Sequence, residues 1–171
     1  MLFPSRRPVA GVAPGRGTNV DGRMSPAELT TYLRTNIPLT AAMEVSAISV
    51  APETVVIEAP LAPNINHRKT VFGGSASALA ILAAWSLVHL RLAESRLEYR
   101  LVIQRNTMSY DAPMEGTFTA SAAFADGTDW VKFLETLERR GRARVAAVAE
   151  LTCDGTPAGR LEADFVAILM R

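Results

Sequence analysis

Gly73-Gly74-Ser75-Ala76-Ser77-Ala78-Leu79-Ala80-Ile81-Leu82-Ala83-Ala84-Trp85-Ser86-Leu87-Val88-His89-Leu90 is the stretch that decides the fold. From Ala78 to Leu90 only Ser86 and His89 are polar. Apolar residues fall on every helical face with no amphipathic stripe, which predicts a helix buried all round. The run is too short, too rich in alanine and too interrupted to read as a membrane span. Alanines at 76, 80, 83 and 84 would let a sheet or a second helix approach closely.

The segments on either side show what could cover such a helix. Upstream, Ser25-Pro26-Ala27-Glu28 is a capping box with proline in the first helical position, and Leu29, Tyr32 and Leu33 follow at helical spacing. Pro38 should end that short helix. Strand-like runs over 43–50 and 53–60 come next, separated by Ala51-Pro52. A loop from Ala62 to Thr70 then leads through Val71-Phe72 into the glycine pair. Downstream, runs near 98–111, 116–125, 143–153 and 158–169 are rich in Val, Ile, Thr, Phe and Ala. One helix interrupts them: Asp129 is a plausible N-cap, Trp130, Phe133, Leu134 and Leu137 form an apolar stripe, and Gly141 is a stop. Asp154-Gly155 signals a tight turn. The expectation is one α+β domain over 25–171, an antiparallel sheet wrapped around one long central helix, with no repeat and no second domain.

Residues 1–24 read as a disordered tail, since Pro4, Pro8 and Pro14 and four glycines break any helix. No apolar run there could serve as a secretory h-region. A chain of 171 residues is long enough to bury a core. The net charge of +1 supplies no bulk field for nucleic acid or an anionic membrane. Cys153 is the only cysteine, which suits a reducing compartment and a cytoplasmic protein. With two histidines and one cysteine at no metal-ligand spacing, neither a metal site nor a cofactor is expected.

The start of the central helix is the candidate site. A helix N-terminus presents unpaired backbone N–H groups and a positive dipole end. Glycines at 73 and 74 would let a substrate come close to them. The backbone around Gly73, Gly74 and Ser75 can therefore act as an oxyanion hole for a carbonyl that gains negative charge. Asn64, Asn66 and His67 lie in the preceding loop; the His67 imidazole could activate water, while an asparagine could orient that water or hold the substrate. Structural roles are the competing readings. The asparagines would serve Asx turns, Asp111 a strand end, His89 the helix dipole, and Cys153 the core. Arg139, Arg140, Arg142 and Arg144 either complement a helix end or form a patch for a nucleotide phosphate or an acidic carrier protein.

Pro60-Leu61-Ala62-Pro63-Asn64-Ile65-Asn66-His67, followed by Thr70-Val71-Phe72-Gly73-Gly74-Ser75, resembles the thioesterase-like domain at the C-terminus of YiiD-type proteins, within the hot-dog-fold thioesterase superfamily. The resemblance covers roughly 25–171, and the acetyltransferase half of YiiD-type proteins has no counterpart in the 24 residues before it. It implies a hot-dog fold, a homodimer with sites at the interface, and acyl-CoA or acyl-carrier-protein thioesters as ligands. His67, Asn66, Gly74 and Asp111 are then the expected catalytic residues, with Asn64, Phe72, Gly73 and Ser75 binding substrate. Related enzymes often carry a carboxylate about two turns into the central helix, where this chain reads Ala78-Leu79-Ala80-Ile81-Leu82-Ala83. Either the base comes from elsewhere, with His67 and Asp111 the candidates, or turnover is slow. A non-catalytic acyl-CoA-binding module and a hot-dog dehydratase are the alternatives to a thioester hydrolase.

Overall fold

The structure is a computed structural model and describes residues 24–170. The expected tail falls almost wholly on residues outside that range. Helix α1, Pro26–Asn36, opens on the capping box: the Glu28 N–H donates to Ser25 Oγ, and the Ser25 N–H donates back to Glu28 Oε2 at 2.6 Å. Pro38 does more than end α1. It begins a second short helix, α2 (Pro38–Ala42), because a proline in the first helical position sacrifices no needed donor. The first strand therefore starts later than the sequence run suggests, as β1 (Ser46–Ala51), followed by β2 (Thr54–Ala59).

Helix α3 spans Gly73–Ala93, and β3 (Tyr99–Tyr110), β4 (Phe118–Phe124), helix α4 (Trp130–Arg140), β5 (Arg142–Cys153) and β6 (Thr156–Leu169) complete the chain. Asp129 caps α4 by accepting from the Lys132 N–H at 2.9 Å, and Gly141 ends it in the left-handed conformation. Asp154 and Gly155 both take positive φ in the two-residue turn between β5 and β6.

The six strands form one antiparallel sheet in the order β1-β2-β4-β5-β6-β3. Its inner face shows the two-residue period of a half-buried sheet, as in Phe118, Ala120 and Ala122 of β4. Alanines recur on both partners: Ala76, Ala80, Ala83 and Ala84 of α3 and Ala120, Ala122, Ala149 and Ala163 of the sheet are all buried. Small side chains on both surfaces bring helix and sheet into close contact.

Two expectations about α3 need correction. At 21 residues it is long and apolar enough to cross a bilayer by length and composition, but more than half of its apolar window is buried within the protein. Nor is it covered all round. Ala78, Ile81 and Trp85, one helical turn apart, are only partly buried, because one sheet reaches round only part of a cylinder.

Gly159 of β6 fixes how closely β3 approaches. A Cβ there would stand 2.5 Å from the Ser109 carbonyl oxygen, a backbone atom that cannot step aside alone. Gly159→Ala should therefore lower stability by about 2 kcal/mol, the scale of overpacking in a well-packed interior, as read by urea unfolding. An unchanged midpoint would show that β3 shifts freely at this point.

Candidate active site at the start of the central helix

The loop into α3 is a small hairpin. Ile65 bridges to Val71, the Asn66 N–H donates to the Thr70 carbonyl at 2.8 Å, and the Lys69 N–H closes a turn on the Asn66 carbonyl at 3.1 Å. Asn66 holds this turn with its side chain. Its Oδ1 accepts from the N–H groups of Arg68 and Thr70, and its Nδ2 donates to Thr70 Oγ1 and the Val71 carbonyl. His67 is thereby carried to the exposed tip of the turn, beside Arg68. Asn64 is buried. Its Nδ2 donates to the carbonyls of Met43 at 3.0 Å and Pro60 at 2.8 Å, and its own carbonyl accepts from the Phe72 N–H at 2.7 Å. Asn64 thus ties the α2 end and the β2 exit to the residue that caps α3. Its Oδ1 is buried without a protein partner.

Phe72 is that cap, in extended conformation and with no side-chain hydrogen bond. The first bond closing onto it runs from the Ala76 N–H to the Phe72 carbonyl at 3.0 Å. The N–H groups of Gly73, Gly74 and Ser75 precede that bond and remain for a ligand. No acidic residue occupies α3 at all.

The end of β3 reaches the same point. The Tyr110 hydroxyl donates to the Gly73 carbonyl at 3.2 Å, and its ring lies 3.5 Å from where a Gly73 Cβ would be. Asp111 follows, with its N–H on the Ala158 carbonyl at 2.9 Å. Val71, Gly73 and Ala76 from one side and Tyr110 to Met114 from the other enclose a cleft of about 330 Å³. The structure thus brings Asp111 to the helix start with Gly73. His67, Asn66 and Asn64 lie on the approach loop and do not line this cleft. Tyr110 received no role from the sequence, although its place immediately before Asp111 at a strand end was a usable signal.

A larger hollow of about 540 Å³ lies on the outer face of the sheet. Its arginines are matched by acids: Arg160 pairs with Glu150 at 2.8 Å, and Arg105 with Asp164 at 3.5 Å. Arg139, Arg140, Arg142 and Arg144 are exposed, and Arg144 also approaches Asp164, at 3.8 Å. They stand at the end of β5 remote from Leu151 and its partner Gly159, on the order of 25 Å along the strand at its ordinary rise. Within one chain this patch does not face the cleft. Cys153 is half-buried, not part of the sealed core. Among the described residues no cluster of His, Cys, Asp or Glu could hold a metal ion.

At the far end of α3, His89 is not the charged dipole partner expected of it. Its ring stacks between Tyr32, 5.3 Å away, and Trp85, 4.5 Å away, and its Nδ1 lies 2.9 Å from the Tyr99 hydroxyl. Burial pulls its pKa down to about 4, so the ring is neutral at ordinary pH.

An antiparallel sheet closed on a single central helix, with glycines and unbonded N–H groups at the helix start, defines the hot-dog class of thioesterase-like proteins. The chain belongs to the family described as "Putative thioesterase (yiiD_Cterm)", whose profile matches residues 26–169. Solved structures agree with that assignment. A protein of unknown function from Chlorobaculum tepidum is 26% identical, with 85% of this chain and 98% of that one covered at a TM-score of 0.79. A "putative thioesterase" from Shewanella oneidensis is also 26% identical, with 82% and 94% covered at a TM-score of 0.72. A protein from Pseudomonas aeruginosa described as a probable thioesterase shares the fold at 22% identity, with 87% and 100% covered and a TM-score of 0.73.

Proposed function

We propose that this protein hydrolyses acyl thioesters, with acyl-CoA or an acyl carrier protein presenting the acyl group, at the start of α3. One observation carries the reading: Gly73, the first of the three residues whose N–H groups are open at the helix start, lines a cleft together with a carboxylate, Asp111. The N–H groups of Gly74 and Ser75 would donate to the thioester carbonyl oxygen and stabilise it as negative charge develops. Asp111 would take a proton from water as that water attacks the carbonyl carbon. The tetrahedral intermediate then collapses, the C–S bond breaks, and the thiolate leaves and picks up a proton. Gly73 gives the substrate room, and Phe72 and Ser75 border its path. Asn64 and Asn66 hold the loop that aims the helix start, and His67 is the competing base. The reaction needs no metal or cofactor, and the lone thiol fits a cytoplasmic setting.

Free-thiol release over a panel of acyl-CoA chain lengths tests this. Release supports the hydrolase. An absorbance change from an enoyl-CoA without thiol release would make the protein a dehydratase, and saturable binding alone would make it a binding module.

A second copy belongs to the proposal. The Ala78–Ile81–Trp85 stripe is half open, and β3 is a twelve-residue edge strand whose outer hydrogen-bonding groups have no partner strand among the described residues. Pairing of β3 with its copy extends the sheet and brings further surface to the Tyr110–Asp111 end. Light scattering should give twice the mass of one chain; a stable monomer at micromolar concentration would refute the dimer.

A further inference from the structure

We propose that the Phe72 side chain is a gate over the helix start: it rests on Gly74 when the site is empty and swings away to admit the thioester, a specificity element that rests on the hydrolase reading above. A Cβ at Gly74 would meet the Phe72 ring, with Cζ at 2.8 Å, Cδ1 at 3.0 Å and Cε1 nearer still. The ring thus lies where a side chain of residue 74 would be, against the turn whose N–H groups are open. Only glycine permits that resting place.

The Phe72 backbone is fixed at both ends. Its N–H donates to the Asn64 carbonyl at 2.7 Å, and its carbonyl accepts from the Ala76 N–H at 3.0 Å. Motion is therefore confined to the side-chain torsions. The ring is 57% exposed and belongs to no core cluster, so little packing opposes its departure. Tyr110 on the other side of the glycine pair shows the contrast. It is as exposed, at 56%, but its hydroxyl is bonded to Gly73. One aromatic wall is pinned and the other is free. While it rests there the ring keeps water from the carbonyl-binding N–H groups, and its departure frees them for the thioester.

The test uses Phe72→Trp in the full chain, with wild type, which holds Trp85 and Trp130, as the emission baseline. Short- and long-chain S-alkyl-CoA thioethers serve as unreactive probes, with calorimetry to report binding. The gate predicts that emission from the introduced indole changes on saturation with a bound thioether. It also predicts that adding Gly74→Ala shifts that emission to the red without ligand, because the new methyl expels the ring. Binding with no emission change would overturn the gate and leave the hydrolase reading intact. An unchanged emission in the Gly74→Ala background would overturn the resting contact in the same way. No binding of any thioether would sink both. If Phe72→Trp does not fold, the ring signals of isotope-labelled phenylalanine in the wild-type chain, with Phe72 assigned by its loss in Phe72→Leu, give the same readout.

Discussion

Asp111→Asn is expected to lower thioester turnover by about 10²–10⁴-fold, the usual cost of losing a general base, while the protein stays folded. Asparagine keeps the size and much of the hydrogen bonding of aspartate but cannot accept the proton of attacking water. Asp111 is exposed at the cleft and its backbone N–H is held by Ala158, so the substitution leaves no buried group without a partner. His67→Ala is the paired measurement. His67 sits at the solvent-facing tip of a turn held by Asn66, and the tip does not line the cleft, so its loss should change turnover by less than about tenfold. If His67→Ala carries the large loss and Asp111→Asn does not, the loop must fold onto the cleft with substrate and the bases exchange roles. If neither slows thiol release, the chemistry lies elsewhere.

Acid should destabilise the protein through His89. The unfolded chain binds a proton on this ring below about pH 6.5, whereas the folded protein resists it until about pH 4. The neutral ring's contribution is therefore complete above pH 6.5 and is lost as the pH falls towards 4. The interval is worth about 3 kcal/mol at 1.36 kcal/mol per unit. Desolvation between Tyr32 and Trp85 is the cause. Burial raises the Tyr99 hydroxyl's pKa and the neighbouring Tyr32 charge raises it further, so Tyr99 stays neutral throughout. Urea unfolding of wild type and His89→Phe at pH 7 and pH 4.5 isolates the term from ordinary carboxylate titration. Wild type should be the more stable at pH 7, where the Tyr99 bond counts, and should lose that lead or reverse it at pH 4.5. A difference that is the same at both values would mean the ring is hydrated in solution.

The central helix, the α4 caps and the Asp154-Gly155 turn were legible because each rests on local chemistry: a run with no polar face, an aspartate before an apolar stripe, a pair of residues tolerant of positive φ. The glycine pair at the helix start was legible for the same reason. What stayed hidden depended on distant partners. Pro38 reads equally as the end of one helix or the beginning of another, and only the docking of α2 against Asn64 decides. Whether Asn66 faces substrate or its own loop turns on Thr70 and Val71 closing around it. The neighbourhood of Tyr110 and Asp111 is set by Gly159, nearly fifty residues away, where one missing methyl lets two strands meet. The half-open stripe on α3 is a matter of how far a sheet can curve, which no helical pattern records.

The place of β3 at the sheet edge bears on how the chain is made. Among the described residues its one strand neighbour is β6, with Tyr99 opposite Leu169 and Tyr110 opposite Gly159. On the ribosome, α3 and β3 emerge well before the strand that anchors β3. Strands β2, β4 and β5 can cover much of the helix sooner, but the part that faces β3 and β6 stays open until β6 has left the exit tunnel, a period in which aggregation competes with folding. Asp111 is held at the helix start through Ala158 of β6, so a nascent chain has no assembled site until that strand is in place.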